Sequence, residues 1–251
     1  MPPFAAIEMS SPSDFVFRVA VPQEYWEIIE FFICNVGETS PVNKALGFEK
    51  GDSLAVYGPK IWYALNKELS YIVRKQPENE IVGCAIGTVW YRNPMRNHRH
   101  VPVTPRGKIL YELENSLKLL FWDLCPKTLN KVAYGECMLI HKDYRGQHFD
   151  QQLMKILMSE RLLIDAGMDG SMGVTTSIDN QSNVECLGSI PLAEMEYKDF
   201  FEKHGIPYED AFIDGTTKAV LHYTPFECHK NFNPTVTKVT FKGSKLETSN
   251  F

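Results

Sequence analysis

No Cys-x-x-Cys pair occurs in the chain, and its six cysteines, at 34, 84, 125, 137, 186 and 228, are spread singly, several inside apolar runs. A thiol in such a run behaves as a small hydrophobe, so the chain reads as a reduced, intracellular one without a disulfide framework. No stretch approaches the roughly 20 apolar residues of a membrane span, and the opening MPPFAAIEMSSPSD has no basic segment leading into an apolar one. The expected compartment is therefore the cytoplasm, with no membrane partner. Basic excess is absent too: 26 Lys and Arg stand against 31 Asp and Glu, a formal charge of −5, which weighs against generic nucleic-acid binding and suits a small cation. There is no P-loop, Rossmann fingerprint, zinc motif or Ser-His-Asp set, and no internal repeat. His98-x-His100 lacks the further ligands of a metal site, so no metal is expected.

What remains is an ordinary globular composition, 44% hydrophobic and 23% charged over 251 residues, enough for one large domain with a sizeable core. The prolines and serines of 1–13 suggest a loose terminus, and the polar stretch 226–251 an appendage. Between them, 131–189 carries the densest pattern: a β-rich run, a turn at Arg145-Gly146, an amphipathic helix reaching Ala166-Gly167, a second strand and a short helix. In such a unit the N–H groups of the turn and first helical turn lack internal partners. They form an anion site backed by the helix dipole, suited to a phosphate-bearing cofactor.

Three landmarks in that stretch, Ile140-His141-Lys142-Asp143-Tyr144-Arg145-Gly146, the helix end at Ala166-Gly167, and Thr175-Thr176-Ser177 through Leu187-Gly188, fall in order and spacing. Together they resemble the acetyl-CoA-binding core of the GNAT superfamily of N-acetyltransferases. The resemblance implies an α/β fold with a mixed, splayed central sheet flanked by helices, and acetyl-CoA as cofactor. It implies cofactor contacts from Leu139, Ile140, Arg145, Gly146, Gln147, His148, Phe149, Asp150 and Asn180. The pyrophosphate loop departs from the family's Gln/Arg-x-x-Gly-x-Gly/Ala, with His148 and Asp150 where small residues are the rule. A Cβ and an anionic side chain there take space and add repulsion, although Asp150 also suits the first turn of a helix.

Upstream, apolar positions Tyr25, Trp26, Ile28, Ile29, Phe32, Ile33 and Val36 recur at helical spacing after Pro22, with Gly37 placed to end the helix. The segment Gly37-Glu38-Thr39-Ser40-Pro41-Val42-Asn43 then resembles the amine-binding loop of invertebrate arylalkylamine N-acetyltransferases, where a glutamate precedes proline and asparagine. The likeness implies Glu38 as general base, with two extra residues before Pro41; a solvated loop charge is the plainer alternative. Helices are expected over 59–68, 108–124 and 199–204, and strands over 15–20, 69–75, 81–92, 191–197 and 218–224. The basic loop 91–108 reads as solvated, or as a grip on a phosphate.

An alkylammonium with a pKa near ~10 must lose its proton before it can attack a thioester, a penalty of roughly 4 kcal/mol at pH 7. A departing thiolate near ~8.5 needs only about 2 kcal/mol of proton assistance, so base catalysis matters more than acid catalysis. Glu38 leads as base and Glu136, an acid inside a strand pattern, ranks second. Ser177 matches the first of two functional serines of the family and Asn180 replaces the second; a helix N-cap is the other use of Ser177. Val184 stands where many members have an acidic tyrosine. The implied activity is acetyl transfer to a small primary amine, with peptide acetylation, or a degenerate CoA-binding or regulatory module, as alternatives. Neither the amine nor the oligomeric state follows.

Overall fold

The computed structural model describes residues 14–242 and 245–250, so the expected loose terminus over 1–13 lies outside the described residues. One nine-stranded mixed sheet runs through them. Its strands in chain order are β1 (Phe15–Val19), β2 (Tyr71–Lys75), β3 (Glu80–Tyr91), β4 (Lys131–Ile140), β5 (Gly170–Thr175), β6 (Ile190–Glu196), β7 (Lys218–Pro225), β8 (Thr237–Lys242) and β9 (Lys245–Asn250). In space the order is β1-β2-β3-β4-β5-β7-β6-β8-β9. Neighbours are antiparallel except β4 with β5 and β6 with β8. The tail expected as an appendage thus adds a hairpin to the sheet edge.

Nine helices accompany the described strands: α1 (Tyr25–Thr39), α2 (Pro41–Ala45), α3 (Lys50–Leu65), α4 (Pro105–Lys118), α5 (Phe121–Leu124), α6 (Phe149–Leu157), α7 (Glu160–Asp165), α8 (Ile178–Cys186) and α9 (Tyr197–His204). None is long and apolar enough to cross a membrane. The main core lies where α1, α3, α4 and α9 cover one face, burying Ile28, Phe32, Ile61, Leu113 and Phe200 against Ile86, Val132 and Leu221. Burying each such side chain contributes about 1.5–3 kcal/mol. On the opposite face α6 buries Phe149, Leu153 and Ile156 against Phe17, Val73 and Val82.

Several boundaries differ from the sequence expectation. α1 runs through Gly37 and stops at Ser40, whose ψ of 115° is the extended state forced on a residue before proline; Pro41, not Gly37, ends the helix. Glu38 therefore sits in a last helical turn rather than in a loop. α3 starts well before Pro59, at a reciprocal cap in which Glu49 N–H donates to Asp52 Oδ2 at 3.1 Å, and it carries Pro59 in its interior. Burial of Val56, Tyr57, Ile61 and Leu65 compensates the missing hydrogen bond. The expected 108–124 helix begins at Pro105, where Thr104 Oγ1 caps Gly107 N–H, and breaks after Lys118; the one expected before Ala166-Gly167 breaks at Met158. In β3, a Cβ on Gly87 would lie 2.4 Å from the Leu69 carbonyl oxygen, so only glycine fits that crossing.

Candidate active site

β4 and β5 are paired over only three positions, Ala133 with Ser171, Tyr134 with Met172 and Gly135 with Gly173. Beyond Gly135 the strands part. β4 stays paired to β3, with a bulge at Glu136 where Ile86 and Gly87 face Cys137 and Gly135. The backbone of 136–140 on the β5 side thus borders a gap without a strand partner. That gap is a cavity of about 700 Å³, within the range of ligand pockets.

One wall is the start of α6. No side chain caps this helix, and its N-cap, His148, has φ 60° and ψ 23°. Gly146, also at positive φ (80°), makes the chain turn just before it. The first-turn N–H groups therefore point outward as a potential anion cradle. His148 occupies a left-handed conformation that costs a residue with a Cβ about 1–2 kcal/mol, which is the backbone reason glycine suits the position. Asp150 does not project freely: its Oδ2 accepts from Asn183 Nδ2 at 2.7 Å, and Gln151 Nε2 donates to Asn183 Oδ1, tying α6 to α8.

The opposite wall comes from α1, α3, α4 and β4. Glu136, 10% exposed, lies 3.8 Å from Lys60 Nζ and 3.7 Å from Lys118 Nζ, and Lys60 also pairs with Glu114. Glu114 and Glu136 face the cavity together with Tyr57 and Cys137. Burial alone would pull Lys60 down, but the two carboxylates outweigh it and hold the ammonium well above its ordinary range. For Lys118, stacked over the Trp90 and Tyr134 rings, burial outweighs Glu136 and the net direction is downward. Burial first, then the nearby carboxylates, pushes the Tyr57 and Tyr134 phenols and the Cys137 thiol up despite Lys60, so these stay protonated. At the mouth Glu38 is 72% exposed and pairs with Lys142 at 3.6 Å, while Arg145 donates to the Thr39 carbonyl at 3.2 Å; both contacts cross between α1 and the turn after β4.

The third side is where α8 meets β5 and β7. Ser177 Oγ caps α8 by accepting from Asn180 N–H at 3.4 Å, and Ile178 N–H donates to Thr216 Oγ1, itself bound to Asp214. His222 lies on the same side between Thr175 and Glu185.

The structure brings most of the sequence-predicted residues together: Glu38, Leu139, Ile140, Arg145, Gly146, Asp150, Ser177 and Asn180 all border the one cavity. Gln147 and His148 are exposed beside it. The Phe149 ring is core, 1% exposed, which leaves only its N–H to face a ligand. Sequence reasoning missed Lys60, Glu114, Lys118 and His222. Lys118 and His222 had a visible signal, since each is a lone polar residue inside an apolar run, as Glu136 is.

No family model and no curated protein sequence matches the chain. Solved structures do. Arylalkylamine N-acetyltransferase 2 of Aedes aegypti superposes with a TM-score of 0.65 at 18% identity, covering 84% of this chain and 98% of that one. A mosquito arylalkylamine N-acetyltransferase like 5b gives 0.66 at 16%, over 84% and 100%. The Drosophila melanogaster polyamine N-acetyltransferase, which forms N-acetylagmatine, gives 0.66 at 13%, over 85% and 100%. The chain is similar to these in fold, and its fold is the GNAT fold.

Proposed function

We propose that this chain is an N-acetyltransferase that uses acetyl-CoA to acetylate a small primary amine, in the manner of the arylalkylamine and agmatine enzymes whose fold it shares. The observation that carries the reading is the cavity at the β4/β5 splay, with an uncapped helix start on one wall and carboxylates on the other. These residues fit the cofactor: the first-turn N–H groups of α6 and Arg145 suit a diphosphate, and the unpartnered edge at Leu139 and Ile140 suits an amide-bearing arm, with Asn180 close by. When bound, acetyl-CoA supplies an acetyl group activated as a thioester. Phe32, Val36 and Tyr57 offer the acceptor an apolar bed. Glu38 at the mouth takes the ammonium proton, directly or through water, and Ser177 orients the amine.

Thermal melts and thiol release test this together. Millimolar acetyl-CoA is expected to raise Tm by selective binding to the native state, and an arylethylamine or agmatine to release CoA thiol. A peptide amino terminus preferred over both would move the reading to peptide acetylation. One observation favours a second reading, a CoA-binding or regulatory module: Asp150 keeps its carboxylate at the phosphate side, latched to Asn183. No Tm shift and no thiol release with any amine would overturn the enzyme reading in favour of that one.

A further inference from the structure

Thr175, His222 and Glu185 come from three elements, the end of β5, the middle of β7 and the last turn of α8, and form one hydrogen-bonded row. His222 is 2% exposed and Thr175 8%, and both border the cavity. His222 Nδ1 lies 3.2 Å from Thr175 Oγ1, and Nε2 lies 3.3 Å from Glu185 Oε1. An ionised carboxylate can only accept, so the neutral imidazole carries its proton on Nε2 and turns the Nδ1 lone pair to the threonine hydroxyl.

That hydroxyl has a second acceptor, the Val220 carbonyl at 3.3 Å. Two fully bonded states follow. With neutral imidazole, Thr175 donates to Nδ1. With imidazolium, Nδ1 donates to Thr175 Oγ1 and the hydroxyl proton turns to Val220 O. A histidine held only for packing needs neither the second acceptor nor a hydroxyl at the cavity wall. Thr175 stands two residues past Gly173, the last β5 position paired with β4, where the cavity opens.

We infer that Thr175, His222 and Glu185 are a proton relay of the acetyl-transfer site, with Glu185 as a positioning residue; this rests on the function proposed above. As the amine nitrogen bonds to the acyl carbon it sheds a proton, which passes through Thr175 Oγ1 and is held at His222 Nδ1. The same proton returns by that path to the sulfur whose bond to the carbon breaks. Nothing is oxidised, and the second ammonium proton leaves by Glu38. The relay takes the place of the tyrosine that Val184 lacks. The charged groups facing His222 are Glu185 from α8 and Lys218 from β7, the latter paired with Glu194 of β6. Burial lowers the imidazole pKa more than Glu185 and the Val220 carbonyl raise it, and Lys218 lowers it further, so the ring rests neutral at pH 7, ready to accept.

Nitrogen NMR of ¹⁵N-histidine-labelled, ligand-free protein tests the geometry, with the His222→Gln variant assigning one signal among the seven histidines. Expected is an Nε2–H tautomer whose Nδ1 shift moves in the near-isosteric Thr175→Val variant. An Nδ1–H tautomer, or no movement, would overturn the relay whatever the activity. Thr175→Val is expected to lower turnover about 10²-fold, with Thr175→Ser restoring it and acetyl-CoA affinity by calorimetry unchanged within about twofold. Should the valine variant unfold, Thr175→Ala replaces it. Glu185→Leu is expected to move the acid limb of the turnover profile to lower pH by roughly one unit, because the imidazolium loses its partner. Wild-type turnover kept by Thr175→Val, or an unmoved acid limb, would overturn the relay. Wild type that transfers acetyl to no amine would instead remove the proposed function, and the relay's role with it, even with the Nε2–H tautomer present.

Discussion

Glu136 and Asp150 are carboxylates that border the same cavity from opposite walls, yet their surroundings differ in kind. Glu136 is 10% exposed and lies between two ammonium groups, each further engaged by Glu114 or by aromatic rings. Asp150 is at a helix start, with only an amide from Asn183 and unpaired N–H groups near it. The first wall carries its own compensation, so its field does not depend on a ligand. The second has positive partial charge left over and an anion beside it that opposes the use of that charge. A preorganised wall suits the reacting groups, whereas an uncompensated wall suits a ligand that brings its own anion.

Cutting the compensation at its centre gives the largest effect. Lys60→Met leaves Glu114 without its ammonium partner and Glu136 with Lys118 alone in a largely buried site, and is expected to cost about 3–5 kcal/mol in denaturant melts. Lys142→Met, which breaks a pair more than half exposed on both sides, is expected to cost under about 0.5 kcal/mol. Equal losses would dissolve the contrast between core wall and mouth. Next in size is Glu38→Gln, expected to lower turnover about 10²-fold at pH 7 and far less near pH 10, where free amine is abundant. An equal loss at both pH values would remove Glu38 as base.

On the α6 wall, His148→Gly is expected to stabilise the protein by about 1 kcal/mol, since relief of the left-handed strain exceeds the chain entropy that glycine adds. Asp150→Asn keeps a carbonyl for Asn183 and removes a charge, so acetyl-CoA should bind roughly fivefold tighter at low salt. Weaker binding by a folded Asp150→Asn would mean that the carboxylate serves the ligand. The smallest effect concerns His222. Its folded-state pKa lies below the ordinary histidine value, so between those two pKa values the unfolded chain binds more protons and stability falls as pH drops below about 6.5. The slope is at most about 1.4 kcal/mol per pH unit for one group, and melts of His222→Gln at pH 7.5 and 5.5 should show it reduced.

The strands and the long helices were legible because their signals are local: a continuous apolar run along 81–92 after a turn-rich link, helical spacing from Tyr25 to Val36, and a glycine at 205 with φ 64° closing α9. Boundaries were misread where two local signals competed. Gly37 offered a stop, yet the next two residues, Glu38 and Thr39, remained helical until the proline at 41 forced Ser40 into the extended state. Pro59 looked like a start, although the buried face of α3 extends a full two turns before it. Around the cavity, the sequence had singled out Glu38, Glu136, Leu139 to Asp150, and Ser177 with Asn180; it had not singled out Lys60, Glu114, Lys118 or His222, which only the fold brings beside them.

By itself the sequence marked most of the strands and long helices, the turn and helix start at Arg145 to Asp150, and the single acidic residue inside the β4 pattern, because backbone preference and side-chain periodicity act within a few residues. Only the tertiary structure decided that Glu136 meets Lys60 and Lys118, that Asp150 turns to Asn183, and that His222 lies between Thr175 and Glu185. Those pairings join positions tens of residues apart. Their strength comes from burial, which makes an unpaired charge costly and a paired one specific, and burial exists only once the sheet and helices have closed on each other.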